Sequence, residues 1–536
     1  MKNSKYFMLA MLGLMAVPAL AQETYQDTKL AEKSLNGTAR YVGMGGAMEA
    51  LGADISTIGT NPAGIGLFRK NQVSISAGVV AQTDAENHTS YNATTIDFKG
   101  DKSHVSFDQL GIVWSPTRGR SSYLNLAFNY HKSADFGQIL NAANSLGGAS
   151  QSKLTAMKYA QFYGKQGSEM VWTGVDANYD VMMNKSDDNQ MAYYNGKEFL
   201  FGQYQHGYIG EYDFNISGSL NNRVWLGLTV GIHDVNYRSN SYYAENLVPG
   251  DGQSEEPESD QWEDLRINGT GFDVKLGVIF RPVKDSPFRI GAYINSPVYY
   301  DLTMRGETNL QLYDESINSK PLTPSDVDPN YKPPVSDYDY RLNTPWKAGV
   351  SLGHTVGNFL ALGATYEYAW YDHMDNRVKD GGYYDPWYGD YYETSSSDDG
   401  MNDNTRYSLK GVSTVKLGLE YKPISMLALR LGYNYVSPMF RDRGYRDQSI
   451  ASPGTAYATS SDYTNWKATN RITAGIGFNY QGWGFDVAYQ YSAQKGDFYP
   501  FMSYYDNEDS ANDCVAPVTE VKNNRHQLLM TLSYKF

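Results

Sequence analysis

Gln527-Leu528-Leu529-Met530-Thr531-Leu532-Ser533-Tyr534-Lys535-Phe536 closes the chain, and its reading decides the fold. Leu528, Met530, Leu532, Tyr534 and Phe536 share one face, while Gln527, Thr531, Ser533 and Lys535 share the other. A period of two marks a strand with one apolar and one polar side. The same rhythm runs through Ile472, Ala474, Ile476, Phe478 and Tyr480, through Leu427, Leu429, Leu431, Tyr433 and Tyr435, and through Trp483, Phe485, Val487, Tyr489 and Tyr491. Followed backwards, alternation persists to about Gln72. It predicts strands over 72–83, 103–115, 121–133, 207–220, 223–246, 261–282, 286–313, 338–355, 358–376, 404–422, 425–442, 464–480, 483–500 and 523–536, fourteen in all.

The connections choose between a soluble sandwich and a membrane barrel. Links after even-numbered strands are tight, as at Pro116 to Arg120, Asn221-Asn222, Val356-Gly357 and Gln481-Gly482. Links after odd-numbered strands are long and polar, the longest being 134–206. Short turns on one side, long loops on the other and an even strand count are the pattern of an outer-membrane barrel. The 46 tyrosines and 51 glycines agree, since tyrosine suits the aromatic girdles at the two membrane interfaces. The apolar face then meets lipid. The opposite face carries Asp273, Lys275, Arg281, Arg289, Lys347, Glu367, Lys416, Glu420, Arg430, Arg471 and Asp486, a mixed-charge set that belongs in a polar lumen. The terminal Phe536 strand has the form of a sorting signal for barrel-assembly machinery. A single-copy barrel embedded in outer-membrane lipid is expected.

The first 70 residues read differently. Lys2, Lys5, the apolar run Phe7 to Val17 and Ala19-Leu20-Ala21 form a secretory signal over 1–21, with a mature start near Gln22. Gln22 to Leu35 is polar and is expected to be loose or periplasmic. From Gly37 to Phe68 the chain is rich in glycine, with Gly43, Gly45, Gly46 and a turn at Asn61-Pro62-Ala63-Gly64. Small residues in this density make a body able to fit inside something else. The organisation is thus a signal peptide (1–21), a hatch or plug (22–70) and a barrel (71–536). The fold class is all-β: a 14-stranded antiparallel transmembrane β-barrel with a small N-terminal hatch in its lumen.

Gly43-Met44-Gly45-Gly46-Ala47, then Ala53-Asp54, then Asn61-Pro62-Ala63-Gly64-Ile65 ahead of a first strand, resembles the FadL/TodX family of outer-membrane transporters for long-chain fatty acids and other hydrophobic compounds. The motif match covers about 30 residues; the architecture covers the whole chain after the signal. The resemblance implies passive uptake. Extracellular loops collect a hydrophobic small molecule, a lumenal pocket gated by the hatch receives it, and a kink in the third strand releases it sideways into the bilayer. Asn61, Pro62 and Ala63 would hold the hatch's turn, and the kink would fall near Lys132 to Gly137. The resemblance also admits a second role, a protein-interaction or shuttle component of type IX secretion, which some FadL-like barrels serve.

One departure from the family pattern is the position of the longest loop. Within 134–206, Phe136, Ile139, Leu140, Ala143 and Leu146 have helical spacing, as do Leu154, Met157, Tyr159 and Phe162 more loosely. This is either a ligand-capture surface or a folded cap. Other chemistries find little support. A net charge of −14 is a poor match for nucleic acid. Cys514 is the only cysteine. Gly43-Met44-Gly45-Gly46 lacks the Gly-Lys-Ser/Thr ending of a phosphate loop. No His-Glu-x-x-His or Gly-x-Ser-x-Gly occurs, so no catalytic residue, metal ligand or cofactor is expected.

Overall fold

Period-two alternation decides which face of each strand meets lipid, and the computed structural model displays the outcome. It describes residues 24–85, 88–91, 94–97, 100–116, 121–163, 184–185, 191–249, 255–316, 320–327, 336–446, 462–506 and 509–536. The signal segment 1–21 and the tight link at 117–120 lie outside the described residues. The wall strands are β1 (Gln72–Gln82), β2 (Ser103–Trp114), β3 (Tyr123–Asp135) with its outward extension β4 (Gln138–Gly148), β5 (Gly196–Leu220), β6 (Val224–Leu247) and β7 (Glu258–Phe280). Then come β8 (Arg289–Asn295) continued by β9 (Tyr299–Tyr313), β10 (Ser336–Asn343) continued by β11 (Lys347–Val356), and β12 (Leu360–Ala369) continued by β13 (Asp375–Asp385). An arm strand β14 (Asp390–Ser397) precedes β15 (Val412–Ile424), β16 (Leu427–Val436), β17 (Tyr463–Tyr480), β18 (Trp483–Tyr499) and β19 (Thr519–Lys535).

Every neighbouring pair is antiparallel. β1 pairs with β19 from Gln72–Lys535 to Gln82–Arg525, which closes the 14-stranded barrel. Closure leaves no unpaired edge, as a lipid environment requires. In β6, Leu226, Leu228, Val230 and Ile232 are exposed while Gly227, Thr229, Gly231 and His233 are buried. Beyond Ile232 the outward residues turn polar, with Asp234, Asn236 and Arg238, so the lipid-facing band ends there. At the short-turn end, Trp483 packs on Tyr534 at 4.7 Å, and Tyr480 and Phe536 are exposed beside them, a girdle at one interface. The turns Asn221-Asn222 (φ +53°, +51°) and Gln481-Gly482 (φ +46°, +88°) have both central residues left-handed, the hairpin geometry that matches strand twist.

The wall differs from the predicted strands in three places. Three predicted strands break at one height: 286–313 at Ser296-Pro297, 338–355 at Thr344-Pro345, and 358–376 at Tyr371–His373, a single 3-10 turn. Proline cannot donate to a ladder, so two adjacent strands carry a gap at the same level. Second, residues 404–408, predicted as the start of a strand, belong with the preceding loop residues to a helix, α4 (Asp399–Ser408), capped by the Asp398 side chain on the amide of Met401. Third, 138–148 is a strand and not the helix that its apolar spacing suggests. The long strand β5 outruns β3, and its free edge offers hydrogen bonds that β4 takes from Gln138–Gln205 to Gly148–Gly196. The helix of this loop begins later, as α3 (Gln151–Tyr163).

The N-terminal segment runs inside the barrel. Helix α1 (Thr24–Ala31) leads to residues 32–36, then α2 (Ala39–Gly43) and two 3-10 turns, Ile55–Gly59 and Pro62–Leu67, before β1 begins. The expectation that Gln22 to Leu35 is loose or periplasmic is overturned from Thr24 onward. Seven of the eight residues of α1 are buried. Thr24 Oγ1 lies 3.0 Å from Thr405 Oγ1 on α4, and Tyr25 stacks on Phe440 at 4.9 Å and donates to Asn465 Oδ1 at 2.9 Å. A polar composition suggests solvent in a soluble protein, but a barrel lumen is itself polar and satisfies such side chains internally.

Candidate functional site in the barrel lumen

The wall makes room for the N-terminal segment with glycines. Gly227 pairs with Gly277 on β6 and β7, and Gly353, Gly363, Gly418 and Gly432 form one row across β11, β12, β15 and β16. A Cβ at Gly227 would stand 2.4 Å from the Pro62 carbonyl carbon, and one at Gly277 would stand 2.0 Å from Asn61 Oδ1. At Gly363 it would meet the Ala47 oxygen at 1.9 Å, at Gly418 the Met44 oxygen at 2.4 Å, and at Gly432 the Gly45 nitrogen at 2.1 Å. The segment from Gly43 to Gly66 therefore lies backbone-to-backbone against the wall. Close packing of this kind tolerates no added methyl group without a shift.

The motif residues sit at this contact. Asn61 caps the second 3-10 turn, its Oδ1 accepting from the Ala63 amide at 3.2 Å, while its Nδ2 donates to Glu49 O at 3.1 Å and to Val278 O of β7 at 3.4 Å. Pro62 occupies the first position of that turn, and Ala63 packs against Trp225 and Ile279. Gly64 touches Thr57, where a Cβ would meet Oγ1 at 2.3 Å. Gly43 lies against Gly475 of β17, Gly45 (φ +62°) against Tyr433 of β16, and Gly46 (φ +79°) against Leu35. The glycine row on the barrel side went unread in the sequence, although Gly418 and Gly432 stand at lumen-facing positions of their alternating strands.

Ion pairs tie the same segment to the lumen. Glu49 accepts from Lys416 at 2.8 Å and from Thr365 at 2.7 Å. Arg40 reaches Glu420 at 2.9 Å, and Glu420 also holds Arg430 at 2.7 Å, which in turn holds Asp486 at 2.6 Å. On the opposite wall Lys33 meets Glu211 at 2.8 Å. Glu211, Asp213 and Asp273 converge on one ammonium, Lys275 Nζ, at 2.7, 2.9 and 2.7 Å. His131 and His233 flank these carboxylates at 3.4–3.8 Å. The residue types are those of a metal site, but Lys275 already supplies the cation between the three carboxylates. A divalent ion beside it would meet like charge.

Two cavities of about 130 and 140 Å³ lie inside the wall. Glu32, Lys33, Ser34 and Arg471 border both, so residues 32–34 form the partition between them. The first reaches the proline break through Asn295, Ser296, Thr344 and Pro345; the second reaches Tyr25, Phe136 and Leu140 on the side of the long loops.

Both cavities adjoin a seam. β2 pairs with β1 as far as Ser103, but its pairing with β3 ends at Gln109–His131. β3 carries a bulge between Lys132 and Ala134, and β2 carries one at Asp108. Above that level side chains close the wall. Lys132 Nζ donates to Ser106 Oγ at 2.6 Å, and His104 Nε2 lies 2.9 Å from Asp135 Oδ2. The N-terminal segment completes the closure. Asn36 Nδ2 donates to Asp108 Oδ1 at 2.8 Å and to Lys132 O at 3.1 Å, and the Ser34 amide donates to Ser133 O at 2.8 Å. Outside, the seam is bordered by Val105, Phe107 and Tyr130, and the rings of Phe107 and Tyr130 stack at 5.7 Å.

The loop residues singled out for ligand capture are buried. Phe136 meets Tyr237 edge-on at 5.0 Å in a cluster with Leu30. Ile139 is buried beside Gln82, and Leu140 and Leu146 enter a core shared with Leu154, Phe199, Phe498 and Phe501. Over its described residues this loop packs these apolar side chains inward. Glu245, in the part of β6 beyond the lipid band, anchors it by accepting from the Gln151 amide at 3.1 Å and from the Tyr243 hydroxyl at 2.7 Å. Burial pushes the Glu245 carboxyl up to about 7. A raised carboxyl stabilises the fold while protonated, fully below the ordinary value of 4.5, and the contribution is lost as pH rises through about 7. Limited proteolysis of the 150–195 region is therefore expected to be faster at pH 8.5 than at pH 5.5, and Glu245→Gln is expected to remove that dependence.

No family model matches the sequence, and no curated protein matches it. Among solved structures, a Pseudomonas aeruginosa FadL homologue superposes with a TM-score of 0.49 at 12% identity, covering 94% of this chain and 99% of that one. The Pseudomonas putida toluene transporter TodX superposes at 0.46 and 11% identity, covering 94% and 100%. The Ralstonia pickettii toluene transporter TbuX superposes at 0.46 and 13% identity, covering 94% and 99%.

Proposed function

We propose that this chain is an outer-membrane channel for passive movement of hydrophobic small molecules, such as long-chain fatty acids, with residues 32–36 as its gate and the β2–β3 seam as its exit. The observation that carries the reading is the seam, a gap in wall hydrogen bonding bordered outside by Val105, Phe107 and Tyr130 and closed from inside by Ser34 and Asn36. A molecule leaving there enters hydrocarbon, and only an apolar molecule gains by doing so. Each cavity is smaller than the roughly 300 Å³ of a small-molecule site. Displacement of 32–36 joins the two and uncovers the seam in one movement, while the glycine-seated part from Gly43 onward stays in place. Movement down the ligand's own gradient needs no cofactor. Signal-directed export, cleavage near Gln22 and insertion as a single barrel by assembly machinery complete this reading.

The filled lumen also favours a second reading, in which the barrel engages a protein partner such as a type IX secretion component and carries no small molecule. A disulfide separates the two. Ser34 and Ser133 are joined through their backbones, so Ser34→Cys with Ser133→Cys ties the gate to the wall when oxidised, and the native Cys514 is buried and out of reach. Uptake of a labelled fatty acid by proteoliposomes is expected to fall at least tenfold on oxidation and to recover on reduction. Uptake unchanged by the cross-link overturns the gate. Absence of any uptake by the wild-type barrel, together with a protein that co-purifies with it, supports the second reading.

A further inference from the structure

β13 and β14 leave the barrel rim as a two-stranded arm. Pairing of β13 with β10 reaches Val378, and β13 continues paired with β14 to Asp385–Asp390. The arm carries Tyr383, Tyr384, Trp387, Tyr388, Tyr391 and Tyr392, all exposed, with Trp387 at 87% and Tyr388 at 71%. Tyr383 and Tyr392 face each other on one side with ring centroids 5.5 Å apart and planes 26° apart. Tyr384 and Tyr391 are directly paired on the other side. Cross-strand ring pairs steady a hairpin, which accounts for these four. They do not account for the two rings at the tip, Trp387 and Tyr388, whose high exposure costs solubility.

We propose that this arm binds a neutral polysaccharide on the long-loop side of the membrane. Between residues 379 and 397 there is no Leu, Ile, Val, Phe or Met, so all large apolar surface is supplied by rings that also carry a hydroxyl or an indole N–H. Asp380, Asp385, Asp390 and Glu393 stand among these rings. Lys379, the one cation within this stretch, is engaged by Asp301 at 2.9 Å and Glu393 at 3.0 Å, and Arg341 of β10 also reaches Glu393 at 3.6 Å. The C–H face of a sugar ring stacks on Tyr and Trp, and its hydroxyls donate to carboxylates. A hydrocarbon ligand has no use for the carboxylates, and an anionic polymer is repelled by them. A protein interface needs one contiguous patch with a dry centre, whereas these rings divide between two faces and a tip. A thin sugar chain can lie along either face.

The test is affinity electrophoresis of the detergent-solubilised full chain in gels containing dextran, laminarin, mannan, xylan or arabinogalactan, with dextran sulfate as the anionic control. At least one neutral polymer is expected to retard the wild-type protein, and dextran sulfate is expected not to. Trp387→Ala and Tyr388→Ala, made separately and together at these highly exposed positions, are expected to weaken the apparent affinity roughly tenfold. A heat-modifiable band shows that each variant is a folded barrel. Failure of every neutral polymer to retard the protein overturns the proposal. Retardation of the tip variants equal to that of the wild type also overturns it, as does capture of a protein partner with no polymer binding.

Discussion

Replacement of Gly363 and Gly432 together by valine is expected to expel the N-terminal segment and convert a closed barrel into an open one. Added carbons at these positions would stand 1.9 Å from Ala47 O and 2.1 Å from Gly45 N, distances that no rotamer relieves because the obstacle is backbone. Overpacking costs about 1–3 kcal/mol per site, and both sites act on the same four-residue stretch. The wall loses nothing, since both glycines face the lumen and their ladder partners are unchanged. The variant is therefore expected to keep a heat-modifiable band on gels yet show stable ion conductance in planar bilayers, where the wild-type barrel is expected to be silent. It is also expected to admit large antibiotics that the wild type excludes. A folded double variant as silent as the wild type would show that the segment is held by something other than this fit.

Lys275→Met is expected to be the most damaging single substitution in the wall. It removes the one ammonium shared by Glu211, Asp213 and Asp273, all buried, and among the described residues leaves Lys33 as the only ammonium in contact, on Glu211 alone. Breaking a buried ion pair by deleting one partner costs about 3–5 kcal/mol. The barrel is expected to convert from its fast-migrating folded band to the unfolded band at a much lower temperature than the wild type. Combining Lys275→Met with Asp213→Asn and Asp273→Asn restores charge balance and is expected to recover most of the loss, because neutral groups of similar shape cost far less to bury. A Lys275→Met barrel with unchanged thermal behaviour would sink the view that this ammonium holds the carboxylates together.

What the sequence determined by itself is local. Alternation such as Leu226 to Ile232 depends only on the two-residue period of a strand and on the solvent that each face meets. It was therefore enough for the fourteen strands, the lumenal charges and the side on which the long loops lie. Asn61-Pro62 carried its turn in its own backbone preferences. The tertiary structure decided everything that depends on register between distant strands. Glycines at 363, 418 and 432 become one row only when β12, β15 and β16 pair, and Asn36 meets Asp108 and Lys132 only where two strands part. Residues 138–148 became a strand because β5 offered an edge, and α1 entered the lumen because a barrel's polar interior can satisfy Thr, Gln and Tyr side chains that its outer wall cannot. Local period is a property of a short stretch of chain; the seating of the N-terminal segment on its row of glycines is a property of contacts between residues hundreds of positions apart.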